Sequence, residues 1–256
     1  MTVSDRRREI SDLLLQKGKI KVGDLARRFQ VSTETIRKDL LELEAQGFIK
    51  KNKGSAEVLV ETSASAYSQK SEKFIEVKKK IAREAARLVP SRSVIFMDAG
   101  STNYQLARQL IMRKDIIVVT NFTPIAELMN ANEIKVILIG GEIRQVSGAA
   151  TGMLATYCID HVHADLAFLG TSGFLDSSGP CVENFPEAEV KRRMMQNAGE
   201  AYVLADSSKA KTRAIVKYAE WKELTGLLTD DQLDRQVLSS LKKELNVIVV
   251  DTKEEE

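Results

Sequence analysis

Five short clusters of small, hydroxylated or charged residues punctuate the second part of the chain. They read Asp98-Ala99-Gly100-Ser101-Thr102, Thr120-Asn121, Gly140-Gly141, Gly170-Thr171-Ser172-Gly173 and Asp206-Ser207-Ser208-Lys209. Glycine lets a ligand approach the backbone, and hydroxyls with the N–H groups of a helix N-terminus hold an anion. Lys209 adds a positive charge, and Asp98 and Asp206 can accept hydrogen bonds from sugar hydroxyls. Together these residues describe a pocket for a small phosphorylated polyol. Turns between strands and helices use the same residue types simply to turn and to cap. Five such clusters in register, one carrying a lysine, favour a ligand site over that plainer reading. After the third and fourth clusters comes a loop, 173–186, followed by Glu187, Glu189 and Lys191. Acids are expected at a helix start from the dipole alone. The loop would also serve as a lid, with Asn184 and Lys191 reaching the ligand. Neither G-x-G-x-x-G nor G-x-x-x-x-G-K-[ST] occurs, and no cofactor is expected.

A second set of residues speaks to a different partner. Ser32 is placed to cap a helix through its hydroxyl, leaving Thr33, Glu34, Thr35, Arg37 and Lys38 near the start of an exposed helix. Such a helix N-terminus fits a DNA major groove. Thr33 and Thr35 are placed for base edges. Arg37 and Lys38 would read bases or hold phosphates, the commoner fate of a basic side chain at DNA. Asp39 is expected to pair locally. Lys50, Lys51 and Lys53 form a basic run suited to phosphate contact. His161 and His163 form an H-x-H without a nearby cysteine, which reads as two surface histidines and no metal site.

These residues require particular elements to hold them. Val22, Leu25, Ala26 and Phe29 recur at helical spacing, as do Ile36, Leu40 and Leu43. A preceding amphipathic helix over 3–17, with Ile10, Leu13 and Leu14 inward, completes a three-helix head. Gly47 and Phe48-Ile49, then Lys50 to Gly54, read as a strand and a basic turn, the wing of a winged helix. The head is expected over 1–56, a polar linker over 57–73 and a second domain over 74–256. From Phe74 to Val89 the pattern is helical, with Ile81, Ala85 and Leu88. Beyond it, β-branched runs alternate with helical segments. They are SVIFMDAG, IIVVTN, KVILIGG, DLAFLG, AYVLADSSK, LTGLLTD and NVIVVD. Helices are expected from Ser101, Thr123 and Glu187, around Leu154–Val162, and over Asp231–Leu245. Runs buried on both faces predict an α/β domain with a largely parallel sheet. Ligands bind beyond the carboxyl ends of such strands, where the five clusters lie.

Composition narrows the class. Of 256 residues 43% are hydrophobic and 29% charged, which excludes disordered and collagen-like chains. No apolar run approaches the roughly 18 residues that cross a bilayer, so no membrane partner is expected. The start, MTVSDRRREI, lacks the apolar core of a signal peptide. Cys158, read as a core residue, and Cys181 lie in no metal or redox spacing. A cytoplasmic protein is expected. Residues 1–56 hold 13 Lys and Arg against 8 Asp and Glu, whereas the remainder holds 25 against 28. A basic head on a slightly acidic body suits a nucleic-acid reader tethered to a domain that binds something else.

The chain resembles the DeoR family of bacterial transcriptional regulators over nearly its whole length. The head matches at Arg7–Ile10, Leu25-Ala26, Val31-Ser32, Thr35-Ile36-Arg37-Lys38-Asp39-Leu40, Leu43 and Gly47. The second domain matches at Asp98–Thr102, Thr120-Asn121, Gly140-Gly141, Phe168-Leu169-Gly170 and Ala205–Lys209. It departs at Lys53-Gly54-Ser55, where the family usually has His-Gly-Gly. It departs again at Tyr67–Lys73, which lacks an arginine the family often places there. The resemblance implies an oligomeric repressor of carbohydrate-use genes, dimer or tetramer, bound to operator DNA and relieved by a phosphorylated sugar. It also implies a sensor fold similar to ribose-5-phosphate isomerase, whose phosphate loop resembles residues 98–102 and whose Asp-x-Ser-Lys stretch resembles 206–209. The competing reading is a sugar-phosphate isomerase-like enzyme with an added DNA-binding head. Asp98, Glu187 and Glu189 would supply its base, but nothing in the sequence aims one at a substrate C–H. Activation in place of repression also stays open.

Overall fold

Apolar spacing explains the first unit. α1 (Val3–Lys17) buries Ile10, Leu13 and Leu14, α2 (Val22–Phe29) buries Val22, Leu25, Ala26 and Phe29, and α3 (Thr33–Ala45) buries Ile36, Leu40 and Leu43. Their side chains meet in one small core. Gln30 ends α2 in the left-handed region (φ 52°), and the Val31 N–H donates back to Ala26 O at 3.1 Å. Ser32 Oγ then accepts the Thr35 N–H at 3.1 Å and starts α3. The computed structural model describes residues 2–17, 19–45, 49–52, 55–58 and 74–252, which divide into two compact units, Met1–Ala66 and Tyr67–Glu256.

The wing differs in detail from the expectation. β2 (Ile49–Asn52) pairs antiparallel with β3 (Ser55–Val58), and β3 pairs on its other side with β1 (Lys19–Lys21). Lys50 and Lys51 therefore lie on a strand, not in a turn, because the ladder continues to the Asn52↔Ser55 pair. Lys53, Gly54, Gly47 and Phe48 lie outside the described residues. The expected head boundary at residue 56 falls inside β3. Of the expected linker, Glu57 and Val58 belong to that strand, and 59–73 lie outside the described residues. β1, too short to show a period, was not expected.

The second unit is built on seven parallel strands: β4 (Val94–Met97), β5 (Ile117–Thr120), β6 (Lys135–Leu138), β9 (Ala164–Leu169), β11 (Ala198–Leu204), β13 (Gly226–Asp230) and β14 (Asn246–Val250). Their order is β14-β13-β11-β9-β4-β5-β6. On one face α4 (Ile75–Arg87), α5 (Ser101–Gln109) and α6 (Thr123–Ala131) pack Ile81, Ala85, Leu106, Ile125 and Met129 against Ile95, Met97, Val118 and Phe168. On the other face α7 (Met153–Asp160), α8 (Phe185–Gln196) and α9 (Arg235–Glu244) pack Ile159, Met194 and Leu241 against Phe96, Val119, Leu169 and Val203. Alternate residues of each central strand thus serve opposite cores, which is why those strands read as continuous apolar runs. Two short antiparallel pairs complete the unit, β7 (Glu142–Ile143) with β8 (Ala150–Thr151) and β10 (Cys181–Val182) with β12 (Val216–Lys217).

Caps move several helix ends from where periodicity alone put them. Asp234 accepts the Gln236 and Val237 N–H groups, so α9 begins at Arg235 and not at Asp231. Asn184 caps α8, which starts at Phe185 with Pro186 in its first turn. Cys158 is exposed, a correction to its reading as a core residue, because Ala155 and Ile159 take the inward positions of α7. Cys181 is buried.

Candidate functional site

In the head, α3 presents Ser32, Thr33, Glu34, Arg37 and Lys38 to solvent, with Thr35 partly covered, while Ile36 and Leu40 hold its rear face in the core. Glu34 and Arg37 pair at 3.4 Å, both exposed, so the contact is weak. Asp39 sits one turn further on and is buried. It accepts from Arg6 Nε at 2.6 Å and Arg7 Nε at 3.0 Å. Its partners thus lie on α1, not locally as expected, and they lock α1 across the back of the exposed helix.

In the second unit, the strand order reverses beside β4. The chain runs from β4 outward through β5 and β6, then returns to lay β9, β11, β13 and β14 on the other side. The loops leaving β4 and β9 therefore diverge, and a crevice must open between them. A cavity of about 380 Å³ occupies that place. Gly100, Ser101 and Thr102 at the start of α5 line it, together with Gly170, Lys191, Asp206, Ser208 and Lys209. A larger cavity, about 500 Å³, lies between Phe174, Trp221, Val237 and Leu241, and shares no lining residue with it.

The remaining expected residues do not line the cavity. Asp98 lies behind its wall, where its carboxylate receives Lys191 Nζ and the Gly170 N–H (3.1 Å). Thr120 is buried, donating to Met97 O at 2.6 Å. Asn121 accepts the Ala99 N–H at 3.1 Å and donates to Ala150 O at 3.0 Å, bracing the loop that carries Gly100. Asn184 is occupied with its cap on Glu187 N. Gly140 and Gly141 follow β6, the edge strand, two places from the reversal and off the crevice. Gly141 answers a packing need: at φ 146° an added Cβ would stand 2.4 Å from Thr151 O.

Other residues complete the wall. Lys78 and Phe74 come from α4, Ser147 from the β7–β8 loop, and Thr171, Ser172, Glu183, Glu187 and Thr212 from loops and helix starts. Lys78 carried a legible signal. It shares the helix face of Ile81, Ala82 and Ala85, a lysine in an apolar register, and is buried with them. Ser147 reaches the wall because it donates to Glu187 Oε1 at 2.7 Å. Glu189 points elsewhere, pairing with Arg193 at 2.8 Å.

Beneath the cavity, the buried Asp98–Lys191 pair sits with Lys191 Nζ 5.8 Å from the ring centre of Tyr218, whose hydroxyl donates to Gly170 O at 3.0 Å. Desolvation pushes the Asp98 carboxyl above its usual range, against the opposing pull of Lys191 and the Gly170 N–H. Burial, followed by the nearby Asp98 charge, raises the Tyr218 hydroxyl well above its ordinary value, so it stays a donor. The turn Ser207–Lys211 is held by Asp206, which accepts from the backbone N–H and the hydroxyl of Ser208. Among the described residues no group of three His, Cys, Asp or Glu is arranged for a metal, and no helix is long and apolar enough to cross a membrane.

A winged helix-turn-helix followed by an α/β unit with a ligand-sized crevice defines a two-part transcriptional regulator. Residues 6–62 match the DeoR-like helix-turn-helix domain, and residues 73–231 match the DeoR C terminal sensor domain. The HTH-type transcriptional regulator GlpR of Haloferax volcanii is 32% identical over 91% of this chain and 92% of its own. The glycerol-3-phosphate regulon repressor of Escherichia coli is 30% identical over 90% and 92%. Among solved structures, ribose 5-phosphate isomerase A of Methanocaldococcus jannaschii aligns with a TM-score of 0.39 and 22% identity over 53% of this chain and 54% of that one. The chain belongs to the DeoR family of DNA-binding transcriptional regulators, and the enzyme reading is set aside.

Proposed function

We propose that the protein represses a carbohydrate-utilisation operon in the cytoplasm and is relieved by a phosphorylated sugar bound in the strand-end cavity. The protein acts as a homo-oligomer whose paired heads hold operator DNA. One observation carries the reading. The first turn of α5, with Gly100, Ser101 and Thr102, opens into a crevice that also holds Lys78 and Lys209. Backbone N–H groups at a helix start and nearby cations suit a phosphate. Asp206 and Glu183 suit the hydroxyls of the same ligand. Asp98, Thr120, Asn121 and Asn184 hold the wall in place, and Gly140 and Gly141 shape the neighbouring hairpin. A relative named for a glycerol-3-phosphate regulon supports a phosphorylated polyol as effector.

In the head, Ser32, Thr33, Glu34 and Thr35 face the bases, while Arg37, Lys38 and the wing lysines Lys50, Lys51 and Lys53 hold phosphates. The test is a thermal-shift screen of phosphorylated sugars against their unphosphorylated forms. A ligand at 100 times its Kd stabilises the native state by about 2.7 kcal/mol. Stabilisation by the unphosphorylated sugars alone would sink the reading. For the head, Lys51→Ala should flatten the salt dependence of DNA binding by about one unit; an unchanged slope removes the wing from the interface.

A further inference from the structure

A ligand in the sensor unit can act on the head through the chain that joins them, and that chain enters the described sensor unit at Phe74. Phe74 and Lys78 both line the strand-end cavity. Every other lining residue lies between Ala99 and Thr212, on parts of the chain that follow β4. The first turn of α4 is thus the part of the wall that continues directly into residues 59–73.

This turn has three physical peculiarities. Phe74 adopts φ 57°, ψ 36°, the left-handed region that bulky L residues rarely enter. Its carbonyl accepts the Lys78 N–H at 3.0 Å, so the unusual residue begins the helix. The residue is 46% exposed, with a large ring at the cavity wall. One turn on, Lys78 is 4% exposed and shares the face of Ile81, Ala82 and Ala85, which are fully buried. The body of α4 is therefore fixed in the core, while its first turn carries a rarely adopted backbone conformation and a half-exposed ring. α4 also packs along α5, and the first turns of both helices lie on the same cavity.

We propose that Phe74–Lys78 is the hinge through which this site reports its occupancy. The anionic group of the ligand engages Lys78 as well as the α5 N-terminus, Phe74 closes over it, and the left-handed turn is held in one of two arrangements. The ligand must then bind those two arrangements with different affinity, which is the condition for coupling. The inference rests on reading the cavity as the effector site.

The test uses the full chain. Inorganic phosphate, glycerol 3-phosphate and hexose 6-phosphates are first screened by thermal shift. Amide exchange is then measured with and without the strongest stabiliser. Exchange at residues 75–81 should slow at least about 10-fold, the mark of a turn held more tightly, whereas α9 should be unchanged. Lys78→Met keeps the buried stem and removes the charge. It should weaken that ligand about 10- to 100-fold, as loss of a charge-assisted bond does. Phe74→Gly admits either arrangement of the turn without strain. With ligand saturating, the ratio of its DNA affinities with and without ligand should fall toward one, read on DNA from upstream of its own gene. Phe74→Asn, which also tolerates the left-handed region, serves the same purpose if the glycine variant fails to fold. If no phosphorylated compound stabilises the wild-type chain, the effector reading falls and the hinge with it. If one does, but exchange at 75–81 is unchanged or the Phe74 variant releases DNA normally, only the hinge is wrong.

Discussion

Replacing Lys191 by Met tests the floor of the cavity most directly. Lys191 and Asp98 form a buried ion pair, with side chains only 6% and 3% exposed. Methionine fills much of the lysine stem, so packing changes little and the lost charge dominates. Removing one partner of a buried pair costs about 3–5 kcal/mol, because the other charge is left without compensation. In a unit the size of Tyr67–Glu256 that is about 6–20 °C in Tm. The pH dependence discriminates further. Desolvation already holds the Asp98 pKa above its ordinary 3.8, and Lys191 is the largest influence pulling it back down. In the variant the folded pKa rises further. A raised folded pKa means that the native state binds more protons than the unfolded state above pH 3.8. Stability from that proton is full below 3.8 and is lost as pH rises through the folded value. The deficit against wild type should therefore be smallest near pH 4 and largest above neutrality, as read by chemical or thermal unfolding across that range. Asp98→Asn added to Lys191→Met should recover much of the loss, since the amide oxygen can still accept the Gly170 N–H. An equal deficit at pH 4.5 and 8, with no recovery in the double variant, would refute an electrostatic role for the pair.

Three further outcomes follow from the geometry. Asp39→Ala strands two guanidinium groups against α3, one well buried and one a third exposed, and should destabilise the head by about 2–4 kcal/mol; denaturation of the head transition measures it. Ser32→Ala removes the cap on Thr35 N and should cost about 1 kcal/mol in the same assay. Gly173→Ala would place a Cβ 2.1 Å from Thr212 O, backbone that cannot yield cheaply. That variant should push the 170–173 loop off the Ser207–Lys211 turn, lowering the Tm and weakening the stabilisation expected from the proposed effector.

Much of this protein is written locally. The helices of the head follow from Val22, Leu25, Phe29, Ile36 and Leu40, whose spacing admits one buried face. Ser32 starts α3 because its hydroxyl lies within reach of an N–H three residues on. The β-branched runs declare doubly covered strands, and Gly100-Ser101-Thr102 and Asp206–Lys209 declare a helix start and a capped turn at strand ends, because backbone conformation and capping depend on near neighbours. What tertiary structure decided is which of these turns face one another. Gly140 and Gly141 carry the same residue types as Gly170, but β6 is an edge strand and β9 borders the reversal, and strand order is set by pairing across many residues. Asp39 finds Arg6 and Arg7 only once α1 folds back, and Lys78 meets the cavity only because α4 packs beside α5. Periodicity records which face of an element is buried; which neighbour buries it is settled by the packing of the whole.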